Sequence, residues 1–367
     1  MKFTVNSKPL KNVTDLGIIK QNISSLYYRS NIAQVTATRN SFKINIEAAG
    51  IKTSMTLKGG SGDTDEKASI IVDCSTLKSL IDSIDTDVIT FNFDTGSLGI
   101  TSGTSKFTLP QILDVRDVQV SEPTENFTAE ETITLDAESW KFIKDHQLYA
   151  ISDSKTHPVY RNVWVNANKD VIVGDYETSL FTYSKQSNLD NTCLLPVTLV
   201  NLFTNIPEGS TISRIGRTYI LNINTDSYSM STEFTPFYED DESVGSYNAN
   251  IILGMLTKSD KFLTLDVTPI TKFVNQISLL SQGSFDRNID FSIANNVLTL
   301  SALDCEYKLN VNGDQTNYSV QFDMDKFKDV LSHFDDDNVK IAPMTRDKQV
   351  IGCIFWTDSL ITLLASK

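Results

Sequence analysis

The residues that usually carry acid–base, nucleophilic or metal chemistry are few in this sequence and stand apart. His146, His157 and His333 are the only histidines, and none belongs to a His-Glu-x-x-His helix or adjoins a Gly-x-Ser-x-Gly turn. Cys74, Cys193, Cys305 and Cys353 are too widely separated for a zinc site or a dense disulfide framework, so they read as reduced, packed thiols. The run Gly59-Gly60-Ser61-Gly62-Asp63 suggests a phosphate-cradling loop, but no Lys-Ser or Lys-Thr pair follows; it reads as a flexible hairpin connection. Acidic clusters at Glu239 to Glu242 and at Asp335-Asp336-Asp337 read as solvated loops. Asp323 and Asp325 are expected to cap and charge-match the start of a helix. These readings predict no catalytic centre, no metal and no cofactor.

Charge points elsewhere. The 367 residues hold 32 Lys and Arg against 46 Asp and Glu, a net charge of −14, with most of the acidic excess in the middle third. Such a chain is repelled by nucleic acid unless its basic groups are gathered on one surface. Five of the six segments with helical periodicity do carry them: Lys11 and Lys20, Lys78, Lys141 and Lys144, Lys272, and Lys326 and Lys328.

The elements that must position those lysines are mostly strands. Short runs alternate apolar and polar residues between Gly, Asn, Asp and Ser, as in Phe42 to Ile46 or Thr218 to Ile223. Against that background an i, i+3, i+4, i+7 apolar stripe occurs three times, about a third of the chain apart: Leu77, Leu80, Ile81, Ile84; Leu199, Leu202, Phe203, Ile206; and Phe327, Val330, Leu331, Phe334. Each stripe precedes a hairpin-like pair: Val88 to Phe93 with Ser97 to Ile100, Ser210 to Ile215 with Thr218 to Ile223, and Val339 to Ile341 with Val350 to Trp356. A second helical pattern opens each third, at Leu10 to Ser25, Leu135 to Ser152 and Leu265 to Gln282. One module therefore repeats three times. Its expected boundaries are 1–122, 123–253 and 254–367, with Ser121 to Asn126 as the first linker. With 40% hydrophobic and 21% charged residues and no apolar run of membrane length, the chain reads as a cytoplasmic globular protein without a membrane partner.

Three modules with two helices and two sets of strands each resemble the bacterial sliding clamp family, the beta subunit of DNA polymerase III. Met1 to Val5 looks like its first strand, and Ser102-Gly103-Thr104-Ser105-Lys106-Phe107-Thr108-Leu109-Pro110 is similar to its Ser-Gly-basic-Ser-x-Phe-x-Leu-Pro segment. His157 to Val163, Val274 to Ser281 and Asn295 to Ala302 resemble further stretches. The resemblance implies an α+β fold of three clamp modules, each with two helices packed on antiparallel sheets. It implies half of a head-to-tail homodimeric ring around duplex DNA, loaded by a clamp loader and holding a DNA polymerase without catalysis of its own. Lysines on bore-lining helices inside an acidic exterior then make electrostatic sense.

By the same resemblance, Arg29, Lys78, Lys141, Lys144, Ser154, Lys155 and Lys272 are expected to face DNA. A partner-peptide pocket between modules 2 and 3 is expected from Tyr160, Asp175, Glu177, Thr178, Ser179 and Leu180 on one side and Leu363 and Leu364 on the other. The family commonly reads Thr-Asp-Gly-His-Arg-Leu where this chain has Asp175-Tyr176-Glu177-Thr178-Ser179-Leu180, and ends Met-Pro-x-Arg-Leu where this chain ends Leu364-Ala365-Ser366-Lys367. Those departures suit a divergent clamp serving a phage or plasmid replication machine. The alternative class is a β-rich virion or surface protein, since repeated sandwich-like modules rich in Asn, Ser and Thr also suit such a role. Two helices per module argue against it.

Overall fold

The computed structural model describes residues 1–10, 32–48, 51–112, 120–125, 127–135, 137–146, 162–165, 171–175, 180–184, 193–196, 199–200, 203, 205–236, 258–281, 287–314, 316–334, 338–358 and 360–367. Its contacts divide into two compact units, Met1–Lys144 with Asn188–Asn191 and Leu195–Pro236, and Asp145–Ser187 with Thr192–Leu194 and Phe237–Lys367.

In the first unit the strands are β1 (Lys2–Asn6), β2 (Ile32–Thr38), β3 (Ser41–Ala48), β4 (Ile51–Leu57), β5 (Ser61–Gly62), β6 (Ala68–Asp73), β7 (Val88–Asp94), β8 (Ser97–Ser102), β9 (Ser105–Pro110) and β10 (Glu131–Leu135). Later in the chain, β15 (Ser210–Ile215), β16 (Thr218–Asn224) and β17 (Tyr228–Phe234) complete it. They form a five-stranded sheet, β5-β1-β7-β8-β9, and an eight-stranded sheet, β10-β15-β16-β17-β4-β3-β2-β6. Alternation builds the core: β4 is buried at every second residue, and Phe42 meets Phe3 at 5.2 Å and Phe91 at 4.5 Å between ring centroids. The run Gly59 to Asp63 is more than a connection. Ser61 and Gly62 pair with Thr4 and Phe3, and Asp63 accepts from the Lys2 backbone N–H.

The second unit contains β11 (Asn162–Val165), β12 (Val171–Asp175), β13 (Leu180–Ser184), β18 (Leu263–Asp266), β19 (Asn288–Ala294), β20 (Val297–Ala302), β21 (Cys305–Asn310), β22 (Asn312–Gly313), β23 (Tyr318–Asp323), β24 (Asn338–Arg346), β25 (Gln349–Trp356) and β26 (Leu360–Ala365). A nine-stranded sheet runs β14-β11-β12-β13-β26-β25-β24-β18-β22, with β14 (Cys193–Pro196) at its edge, and a four-stranded sheet runs β21-β20-β19-β23. Two-residue turns at Asn295-Asn296, Leu303-Asp304 and Asp347-Lys348 have both residues at positive φ, the hairpin geometry that matches strand twist. Phe291, Phe322, Phe327 and Phe355 are fully buried and pack ring on ring beneath these sheets.

One strand plan recurs three times. The quartets β6-β2-β3-β4, β14-β11-β12-β13 and β23-β19-β20-β21 share an order, as do β1-β7-β8-β9, β10-β15-β16-β17 and β18-β24-β25-β26. Quartets of the two kinds merge at seams where β4 pairs β17 and β13 pairs β26. Among the described residues, β9 and β21 occupy the same seam position in their quartets but are joined to no second quartet.

Among the described residues, four helices accompany the sheets. Cys74–Asp82 buries Cys74, Leu77 and Ile81, and Met324–Ser332 buries Met324, Phe327, Val330 and Leu331, as the apolar stripes predict. Val267–Leu280 starts at Asp266, whose carboxylate accepts from the Thr268 N–H, and holds Pro269 in its first turn, where proline is tolerated. Ala137–His146 buries Trp140 and Ile143. The remainder of the expected Leu135 to Ser152 helix lies largely outside the described residues, as does Leu10 to Ser25 beyond Leu10. In the stripe after β14, Leu199, Val200, Phe203 and Ile206 are buried.

Asp323 caps its helix as expected, accepting from the backbone N–H of Asp325 and Lys326 at 3.0 and 3.1 Å, while Asp325 pairs with Arg287 at 2.8 Å. Asp73 does the same for Thr76, through both N–H and hydroxyl. Losing such a cap costs about 1 kcal/mol. Asp323→Ala and Asp73→Ala are each expected to lower the unfolding free energy by that amount in urea titrations, and an unchanged midpoint would show the caps to be redundant.

Candidate functional site

Lys141 and Lys272 are exposed on their helices, on faces away from the buried Trp140 and Ile143 and from the buried Ile270 and Val274. Lys78 instead pairs with Asp82 one turn on, at 2.5 Å. Lys144 is drawn inward: its ammonium donates to the Phe203 carbonyl at 3.0 Å, and the same carbonyl accepts from the buried Trp140 indole N–H at 3.2 Å. Phe203 meets Trp140 edge to face at 6.2 Å. The helix carrying Lys141 and Lys144 is thus tied to the segment after β14, and Lys144 does structural work that its place in the sequence did not reveal. Arg29, Ser154 and Lys155 lie outside the described residues.

The partner-pocket expectation is partly assembled by strand register. Asp175 stands opposite Leu180, Leu180 opposite Leu364, and Leu364 opposite Cys353, so one cross-strand row runs from β12 through β13 and β26 to β25. Leu363 belongs to the next row, with Gly174, Phe181 and Ile354. Successive strand side chains point to opposite faces. The expectation that Leu363 and Leu364 line one wall together is therefore corrected: they occupy the two faces of β26, and both are buried. The face of Leu364 also carries Thr362, whose cross-strand neighbour Phe355 has its ring 6.1 Å from that of Phe327 in the helix Met324–Ser332. Tyr160, Glu177, Thr178 and Ser179 lie outside the described residues.

Sequence reasoning did not separate the two seams. The turn between β16 and β17 and that between β25 and β26 share one geometry, with the Thr225 and Thr357 N–H groups donating to the Tyr228 and Leu360 carbonyls. Matching the turns sets Leu180 and Leu364 in the place of Thr53 and Thr232, two buried residues whose hydroxyls lie 3.2 Å apart. It likewise sets Leu363 in the place of Ser231. One seam is polar and the other apolar at corresponding positions.

Among the described residues no cluster of three or more His, Cys, Asp or Glu could hold a metal ion. The acidic runs Glu239 to Glu242 and Asp335 to Asp337 lie outside them. Cys74 and Cys353 are buried free thiols, and burial pushes the Cys74 thiol up to about 12. No described helix is long and apolar enough to cross a membrane.

Six sheet quartets in three repeats, merged by antiparallel seams and backed by amphipathic helices, define the DNA-clamp fold. Over its whole length the chain has the fold of the bacterial DNA polymerase III beta subunit, the sliding clamp. The beta subunit of Thermotoga maritima matches with a TM-score of 0.79 at 13% identity, covering 100% of this chain and 99% of that one. The sliding clamp of Pseudomonas aeruginosa matches at 0.76 and 14% identity, with 100% and 99% covered. The Helicobacter pylori beta clamp bound to a DNA ligase peptide matches at 0.69 and 13% identity, with 100% of each chain covered. No protein-family model and no curated protein matches the sequence.

The lysines sort into a testable pair of classes. Lys144→Met is expected to lower the unfolding free energy by about 1 kcal/mol, the net worth of one hydrogen bond. Lys141→Ala and Lys272→Ala are expected to change it by less than about 0.5 kcal/mol, as is usual for exposed positions. Equal destabilisation by all three in chemical denaturation would contradict the assignment.

Proposed function

We propose that this protein is a non-catalytic sliding clamp, a processivity factor whose head-to-tail homodimer encircles duplex DNA. Its modules are 1–122, 123–253 and 254–367. The observation that carries the reading is the thrice-repeated strand plan with two strands left over. Each quartet ending in β4 or β13 is joined by a quartet ending in β17 or β26, while the third such pair, β21 and β9, is not joined among the described residues, which supports completion by a second copy. A heterologous contact of β21 with the other copy's β9 closes after two chains into a ring. The surface beside β21 suits an interface: Phe273 stacks on Tyr307 of β21 at 5.2 Å, and the same helix ends in Leu279 and Leu280, which are 67% and 69% exposed.

Inside the ring, Lys141 and Lys272 hold phosphates loosely and without sequence preference, aided by Arg29, Ser154 and Lys155, while Lys78 and Lys144 contribute less because their ammonium groups already have partners. The net charge of −14 keeps DNA off the exterior. A DNA polymerase and a clamp loader, phage- or plasmid-encoded ones included, dock by a peptide at the β13–β26 seam, where Asp175 and Glu177 favour Lys or Arg beside an apolar anchor.

Topology supplies the decisive assay. Contact with phosphates weakens steeply with salt, whereas threading does not depend on contact energy. Once loaded, the protein is expected to stay on circular DNA in moderate salt and to slide off when the circle is cut; equal retention on linear and circular DNA would sink the reading. For the pocket, Leu363→Ala, on the face of β26 that corresponds to the outward Ser231, is expected to weaken a polymerase-derived peptide about ten- to a hundredfold in isothermal titration, the worth of one buried leucine at roughly 1.5–3 kcal/mol. Leu364→Ala, on the face of β26 that looks toward the helix Met324–Ser332, is expected to leave the affinity within about threefold. The reverse order would move the docking surface to the opposite face.

A further inference from the structure

The outward face of the β4–β17 seam is a polar grid set by register. One row holds Glu47, Lys52 and Glu233, the next Asn45, Ser54 and Ser231, and the third Lys43, Thr56 and Ser229. Residues 120–125 lie across this grid, with Val120 and Pro123 buried. The contacts run in both directions. Glu122, on the linker, accepts from the Lys43 ammonium at 2.5 Å and the Asn45 amide at 2.8 Å. Glu233, on the sheet and only 9% exposed, accepts from the Thr124 N–H and hydroxyl at 2.7 Å each and from Lys52 at 2.7 Å. The Ser121 N–H donates to Glu47 at 3.0 Å, and Glu125 stands 3.7 Å from Lys43. Pro123 and Glu125 border a cleft of about 560 Å³ floored by Ser54, Thr56, Ser229 and Ser231.

We propose that residues 120–125 form a strap across the outward face of this seam, fastened by two reciprocal carboxylate clasps, Glu122 carried by the strap and Glu233 by the sheet, and that neutralising the clasps releases the strap and opens the polar cleft beside it. A passive linker needs neither feature. Here the buried carboxylate spends its bonds on a backbone N–H and a hydroxyl of the crossing chain, and leaving a buried acceptor of that kind unpaired is costly. Ionised acceptors make such bonds shorter and stronger, so the strap is held by the charge as well as by the shape.

The sign of the pH response follows from the groups that surround the clasps: Lys43, Asn45 and Glu47 on β3, Lys52 on β4, Lys67 before β6, and Glu125 on the strap itself. The hydrogen bond from Lys43 leads in holding Glu122 below the usual carboxylate range, against the effect of burial. Burial alone would raise Glu233, but the bonds from Lys52 and Thr124 outweigh it and leave it lowered. Groups lowered by folding stabilise above their unfolded value, about 4.3 for glutamate, and lose that contribution as pH falls through the folded value. The strap is therefore fastened at neutral pH and loosens on acidification below about pH 4.3.

Amide hydrogen exchange on the full chain tests this, read as protection of Ser121 and Thr124 relative to the amides of β4 and β17. Glu122→Gln with Glu233→Gln is expected to lower strap protection at least tenfold at pH 7 while β4 and β17 keep theirs. Thr124→Val, which removes only a hydroxyl donor, and Lys52→Gln are expected to lower it several-fold, and they carry the test should the double variant fold poorly. Lys58→Gln alters the cleft without touching the strap and is expected to leave protection unchanged. Strap amides as protected in the variants as in the wild type would overturn the proposal. So would protection lost equally from β4 and β17, because the carboxylates would then hold the seam rather than the strap.

Discussion

Backbone N–H and C=O groups on the outer side of a strand must be paired or solvated, and an antiparallel sheet grows until something satisfies its edge. The rest of this structure follows from how that constraint is met. Each module carries two quartets with one edge strand apiece offered to a neighbour. Twice the offer is taken within the chain, by β17 against β4 and by β26 against β13, which turns separate quartets into eight- and nine-stranded sheets. The plan leaves β9 and β21 over, and in the proposed ring a second copy of the chain supplies their partners. Charged side chains on them, Lys106 on β9 and Glu306 and Lys308 on β21, are of the type that keeps an unjoined edge soluble.

The two seams meet the same backbone demand with different side chains. Corresponding cross-strand pairs are Thr53–Thr232 in one and Leu180–Leu364 in the other, and Ser231 corresponds to Leu363. A hydroxyl-bearing seam can be covered by a polar segment, and Glu122, Thr124 and Glu233 are the chemistry of that cover. The seam with leucines at those positions has the opposite residue chemistry, which is why the proposed peptide site is assigned to it. One strand plan thus accommodates both a junction that binds its own linker and a junction with leucines at the corresponding positions.

Much of this was legible in the sequence because amphipathic periods are local. Leu77, Leu80 and Ile81, and Phe327, Val330 and Leu331, announce helices whose apolar faces are indeed buried or half-buried, and Asp323 announces a cap. Seams are not local: nothing in Ile51–Leu57 or Tyr228–Phe234 names the other as its partner. The facing of Leu363 and Leu364 was hidden for a related reason. Leu360 to Leu364 is buried on both faces, so the run has no period of two from which to read its direction. Lys144 looked like its neighbour Lys141, and only the Phe203 carbonyl, far along the chain, distinguishes them. Glu233 likewise gave little sign of its role, because its partners arrive from the linker and from β4.

The central claim is that β9 and β21 are completed by a second chain. Light scattering coupled to size exclusion, across a wide range of protein concentration and without DNA, tests it most directly. The account predicts twice the mass of one chain, held down to the lowest concentrations that can be read. A mass of one chain throughout would contradict it.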